Sequence, residues 1–137
     1  MNIGLRDKRK TILLVDADPH ARAVMRNALE GAGFTVGEAA TGSEGERTAL
    51  RVKPDAILAD LMLETIDAGG VIADKLKTLG SEIPIYIVSA ASDALVGAVS
   101  LRELGISGVF LKPSDPAVVI RALKTRLYQP SGPVTRL

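Results

Sequence analysis

The 137-residue sequence predicts an α/β protein, a five-stranded parallel sheet doubly wound by helices. Three observations carry this reading. Short apolar runs rich in Val, Ile and Leu recur five times, each is followed by a segment of helical period, and the connections are short. Parallel neighbours need crossovers, and right-handed crossovers cover both faces of the sheet.

The first strand is Thr11 to Val15, a continuous apolar run of the kind buried on both faces. Asp18 then caps a helix that begins at Pro19, presents Val24, Met25, Ala28 and Leu29 as its apolar stripe, and stops at Gly31 and Gly33. Phe34 to Glu38 reads as the second strand. Thr41-Gly42-Ser43-Glu44 fits a capping box and opens a helix to about Val52, which ends before Pro54. Ala56 to Ala59 is the third strand, ending at Asp60. A third helix carries Val71, Ile72, Leu76 and Leu79 and stops at Gly80. Ile85 to Val88 is the fourth strand, ending at Ser89, and Asp93 to Leu104 the fourth helix, stopped by Gly105. A short fifth strand, Val109 to Leu111, ends at Lys112-Pro113. Asp115-Pro116 repeats the first cap and starts the final helix, with Val119, Ala122, Leu123 and Leu127 turned inward. The expected organisation is an N-terminal tail (1–10), one domain (11–128) and a C-terminal tail (129–137).

Composition excludes several classes of function. The chain has no Cys and one His, His20, so a disulfide, a thiolate zinc site and a Cys nucleophile are ruled out. Seventeen Lys and Arg against 16 Asp and Glu leave a charge of +1, and with two Phe, two Tyr and no Trp there is neither the basic stripe nor the stacking platform of a nucleic-acid binder. No apolar run approaches a signal peptide core or a membrane span, so a cytoplasmic protein without nucleic-acid or membrane partners is expected.

In a doubly wound sheet the ligand crevice lies beyond the carboxyl ends of the strands. The residues collected there are Asp16, Asp60, Ser89 and Lys112, from the first, third, fourth and fifth strands. Two carboxylates, a hydroxyl and an ammonium therefore share one rim.

This set resembles the receiver domain of two-component response regulators over about residues 10 to 128. The likeness extends to VDADP (15–19), PDAILADLML (54–63), the Asp67 turn, IVSAAS (87–92) and LKP (111–113). The resemblance implies the flavodoxin-like strand order 2-1-3-4-5, and the short stretch after the last helix (129–137) leads to the expectation of a single-domain regulator that signals by protein contact. The resemblance makes Asp60 the phosphoacceptor, a carboxylate nucleophile ionised at neutral pH. Lys112 would supply an ammonium to the phosphoryl group and Ser89 a hydroxyl. Asp16, Asp60 and the Met62 backbone carbonyl would hold Mg²⁺. Asp18 is a further metal candidate, although its place before Pro19 favours a cap. The implied partners are a histidine kinase or phosphotransfer protein and a downstream protein, with a homodimer through the fourth helix, fifth strand and final helix as a further expectation. An enzyme is not implied beyond slow self-dephosphorylation.

The sequence departs from the family at four places. Ala17 stands where the second acid of the usual pair binds the metal directly, so Mg²⁺ binding is expected to be weak. Val109 replaces the switch aromatic, and the neighbouring Phe110 should point to the opposite face. Glu64 and Ala68 replace a usual Pro and Gly. Ala17 and Val109 leave open a pseudo-receiver, a binding module without the phosphorylation switch. VDAD (15–18) also resembles the start of haloacid-dehalogenase-type phosphatases, with Ser89 and Lys112 in the later places; that reading leaves Asp60 unexplained.

Overall fold

The computed structural model describes residues 9–60, 83–89, 107–112 and 114–128. The third and fourth helices expected from sequence, Met62, Asp67 and Pro113 lie outside them, as does most of each tail. The described elements are β1 (Thr11–Val15), α1 (Pro19–Gly31), β2 (Thr35–Ala39), α2 (Gly42–Val52), β3 (Ala56–Asp60), β4 (Ile85–Ser89), β5 (Gly108–Leu111) and α3 (Pro116–Leu127).

All five strands are parallel and lie in the order β2-β1-β3-β4-β5. The order that the resemblance implied is the order observed. Alternation along each strand divides the core in two. Leu13, Val15, Ile57, Ala59, Ile85 and Ile87 face one way and pack with Ala49 of α2. Ile12, Leu14, Leu58 and Tyr86 face the other way and pack with Leu29 of α1 and with Val119 and Leu123 of α3. Complete burial of each large aliphatic side chain contributes about 1.5–3 kcal/mol, so these two layers dominate the energetics of the fold.

The helix starts form as their sequences dictate. The Asp18 carboxylate accepts from the His20 N–H at 2.9 Å, and Pro19 occupies the first turn, where no N–H is needed. Asp115 does the same for Ala117 at 2.9 Å. The Thr41 hydroxyl accepts from the Glu44 N–H at 3.0 Å. The Glu44 carboxylate returns to the Ala40 N–H rather than that of Thr41, so the box closes one residue early.

Three sequence readings are corrected here. β2 runs from Thr35 to Ala39, not from Phe34. Gly33 has a φ of 101°, and the Phe34 N–H donates to the Leu29 carbonyl, so Phe34 still belongs to the turn that ends α1. Val24 is not inward: it is 48% exposed on the flank of the stripe that Met25 and Leu29 bury. β5 begins one residue early, at Gly108. The placement of Val109 against the α2-side core and Phe110 against the opposite one is as strand alternation requires. Phe110 stacks there on Tyr86, with ring centroids 5.6 Å apart.

Candidate functional site

The registers bring the strand ends level. Val15 pairs with Ala59, which sets Asp16, the next residue, beside Asp60 at the end of β3. Ser89, the last residue of β4, pairs with Leu111, and Lys112 follows directly. These four residues occupy one rim because each ends or directly follows a strand of the same parallel sheet.

Lys112 bridges to Asp60, with its Nζ donating to Oδ2 at 2.8 Å. Asp60 is 12% exposed and Lys112 38%, so the pair adds little to stability; its consequence is the placement of an ammonium on the carboxylate at the centre of the crevice. Burial raises the Asp16 carboxyl above the usual carboxylate range; the hydrogen bond from the Asp18 backbone opposes this, Asp60 reinforces it, and Lys112 opposes it. Partial burial at the strand end is the main cause of that shift, and the neighbouring Asp60 adds to it.

Asp18 donates its backbone N–H to Asp16 Oδ1 at 2.9 Å while its own carboxylate caps α1. Its capping role is therefore the one seen. Ala17 is exposed and contributes no oxygen. Beside the two carboxylates opens a cavity of about 790 Å³ whose remaining wall is largely apolar, including Val24, Met25, Leu58, Val88 and Pro116.

A group of three or more acidic or His side chains able to hold a metal does not occur among the described residues. Mg²⁺ is usually held by one or two carboxylates with water completing its octahedron. Asp16 and Asp60 fit that pattern, and a cation beside them would offset the Asp60 repulsion that adds to the effect of burial on Asp16.

A feature that the sequence reading missed lies behind the rim. Arg22 of α1 donates from Nη1 to the Asp16 backbone carbonyl at 2.6 Å and from Nε to Glu38 Oε1 of β2 at 2.9 Å. Arg26 bonds the other Glu38 oxygen and, through Nε, Glu30 at 3.1 Å. Burial would raise Glu38, but the hydrogen bonds from Arg22 and Arg26 outweigh it and hold the carboxyl below its usual range. The sequence signal is a pair of basic residues one helical turn apart, but their partner is 16 and 12 residues away and is found only when β2 lies beside α1.

The sheet order and the acid-lysine rim define a class, the α/β regulators whose site lies beyond the ends of β1, β3 and β5. A family model described as the response regulator receiver domain matches residues 12–124. The chain belongs to that family, whose members are the receiver domains of two-component systems, generally bind Mg²⁺ for phosphorylation, and interact with histidine kinases or phosphotransfer proteins. It is 28% identical over 135 residues to the transcriptional regulatory protein PrrA of Mycobacterium tuberculosis, which covers 98% of this chain and 56% of that protein. The chain spans about half the length of the curated relatives it matches. Among solved structures, a response regulator from Chloroflexus aurantiacus is similar at 28% identity and a TM-score of 0.77, covering 89% of this chain and 100% of that one. A CheY-like receiver domain protein from Methanospirillum hungatei shares the fold at a TM-score of 0.79 and 24% identity, covering 89% and 96%.

Family membership leaves the haloacid-dehalogenase reading without support, and Asp18, the second Asp of the VDAD segment on which it rested, is engaged as a helix cap. No helix among the described residues is long and apolar enough to cross a membrane.

Proposed function

We propose that this receiver accepts a phosphoryl group on Asp60 from a histidine kinase or phosphotransfer protein and signals by protein contact. The observation that carries the reading is the 2.8 Å contact between Lys112 Nζ and Asp60 Oδ2 beside a second, partly buried carboxylate. An Asp60 oxygen forms the new bond to phosphorus as the donor's P–N bond breaks, and the donor nitrogen leaves with the electron pair. Lys112 is placed to shift its hydrogen bonds from the carboxylate to the arriving phosphoryl oxygens. Mg²⁺, when bound by Asp16, Asp60 and the Met62 carbonyl, supplies positive charge that offsets the repulsion between carboxylate and phosphoryl group. Its binding is weak, because position 17 offers no oxygen and Asp18 serves α1. Ser89 is assigned a phosphoryl contact from its place at the end of β4. The protein is a phosphoacceptor with at most slow self-dephosphorylation rather than an enzyme. Of the face expected to form a homodimer, the fourth helix lies outside the described residues, while β5 and α3 lie within them.

Intact mass after incubation with acetyl phosphate and Mg²⁺ tests the reading. A gain of one phosphoryl group is expected, and Asp60→Asn should abolish it. An Asn variant that labels as well as wild type would move the site elsewhere.

A second reading is favoured by Ala17 and Val109. A pseudo-receiver that binds its partner in one state would take up no label from acetyl phosphate or a phosphohistidine donor, with or without Mg²⁺.

A further inference from the structure

We propose that Arg22 is a positioning residue of the site, clamping the backbone of Asp16 to the end of β2 so that the Asp16 carboxylate stays beside Asp60. The purpose of the clamp rests on the phosphoacceptor reading; its geometry does not.

Beyond Val15↔Ala39, the last pair of the β1–β2 ladder, the strand no longer fixes the chain. Asp16 is nevertheless held at both of its backbone groups. Its N–H donates to the Ala39 carbonyl at 3.0 Å, and its carbonyl accepts from Arg22 Nη1 at 2.6 Å. Arg22 is in turn fixed by Glu38 at 2.9 Å, and Glu38 directly precedes Ala39. The last two residues of β2 thus hold Asp16, one directly and one through the guanidinium.

The arrangement needs arginine. A planar guanidinium sends N–H groups in two fixed directions, here to a carboxylate and to a carbonyl, whereas a lysine ammonium is a point charge on a flexible stem. Glu38 cannot swing away freely, because its second oxygen is bonded by Arg26, which also bonds Glu30. The next link runs to the rim, where Asp16 Oδ1 accepts the Asp18 N–H at 2.9 Å. A shift of the Asp16 backbone would therefore disturb both the carboxylate and the start of α1. In this chain of contacts Arg22 acts through the Asp16 backbone.

Arg26 supplies the control, since it shares Glu38 with Arg22 but makes its other bond to Glu30. In the full chain, amide hydrogen exchange at Asp16 and Asp18 and the Mg²⁺ dissociation constant are measured for wild type, Arg22→Ala, Arg22→Lys and Arg26→Ala. Both Arg22 variants should exchange faster at these two amides than the global opening of each variant explains. Mg²⁺ binding should weaken about tenfold, the low end of the loss seen when partners that orient metal ligands are removed. Arg26→Ala loosens Glu38 but leaves the Arg22 bond to the Asp16 carbonyl in place, so it should move both readings clearly less than Arg22→Ala once its stability is taken into account. Equal effects in Arg22→Ala and Arg26→Ala, unchanged exchange in Arg22→Ala, or full protection in Arg22→Lys would each overturn the clamp. A wild type that takes up no phosphoryl group while the exchange pattern holds would end the phosphoacceptor reading and leave the clamp standing.

Discussion

Among the described residues, Asp16 is the one whose environment works most directly against its charge. Burial disfavours its ionised form and Asp60 adds like charge, so its folded carboxyl titrates above the unfolded value of 3.8. The native state therefore binds that proton more tightly than the unfolded chain. Stability falls as pH rises from about 3.8 through the raised folded value, and the penalty is complete above it. Asp16→Asn should remove this slope and raise Tm at neutral pH in metal-free buffer, by about 4 °C for each kcal/mol gained. Thermal melts across that pH range check it, and a variant no more stable than wild type at pH 7 would mean that burial and Asp60 do not disfavour the Asp16 charge. That Asp16 and Asp60 would share a rim was legible, because each directly ends an apolar run. The Arg22–Glu38 link was not, since nothing in a one-dimensional pattern reports which side of β2 lies against α1.

At the level of elements, the strands and the helix starts were legible and the helix flanks less so. Apolar runs bounded by Asp, Ser or Lys fixed the strand ends, and Asp-Pro pairs fixed the caps of α1 and α3. Phe34 misled because its apolar character does not tell whether its N–H joins a ladder or closes a helix, as it does here on Leu29. Val24 misled because α1 buries only the line through Met25 and Leu29, and a residue 100° off that line borders the cavity instead. The cap of α1 carries a prediction that separates two roles for one side chain. Asp18→Ala should cost about 1 kcal/mol, the usual loss of an N-cap, read from chemical denaturation. Its Mg²⁺ affinity should fall far less than that of Asp16→Asn. A comparable loss in both would show Asp18 to be a metal ligand as well as a cap.

Over the whole molecule, the site and the fold are one balance of charge, because the rim that would receive metal and phosphoryl group is also where the sheet crowds its acids. A ligand that binds only the native state adds RT ln(1 + [L]/Kd) to stability, about 0.4 kcal/mol at a concentration equal to Kd and about 2.7 kcal/mol at 100 times Kd. On the proposed ligand set of Asp16 and Asp60, wild type should gain little until Mg²⁺ is high. Ala17→Asp adds an anionic oxygen donor beside Asp16 and Asp18, which costs stability while no cation is present and strengthens Mg²⁺ binding once it is. The plots of Tm against Mg²⁺ concentration for the two proteins should therefore cross, with the variant lower in chelator and higher at saturating metal. Ca²⁺, which takes more oxygen ligands in looser geometry, should move the crossing without abolishing it. Curves that stay parallel, or a variant that lies below wild type at every concentration, would show that position 17 does not face the ion and that the family's metal geometry is not preserved in this chain.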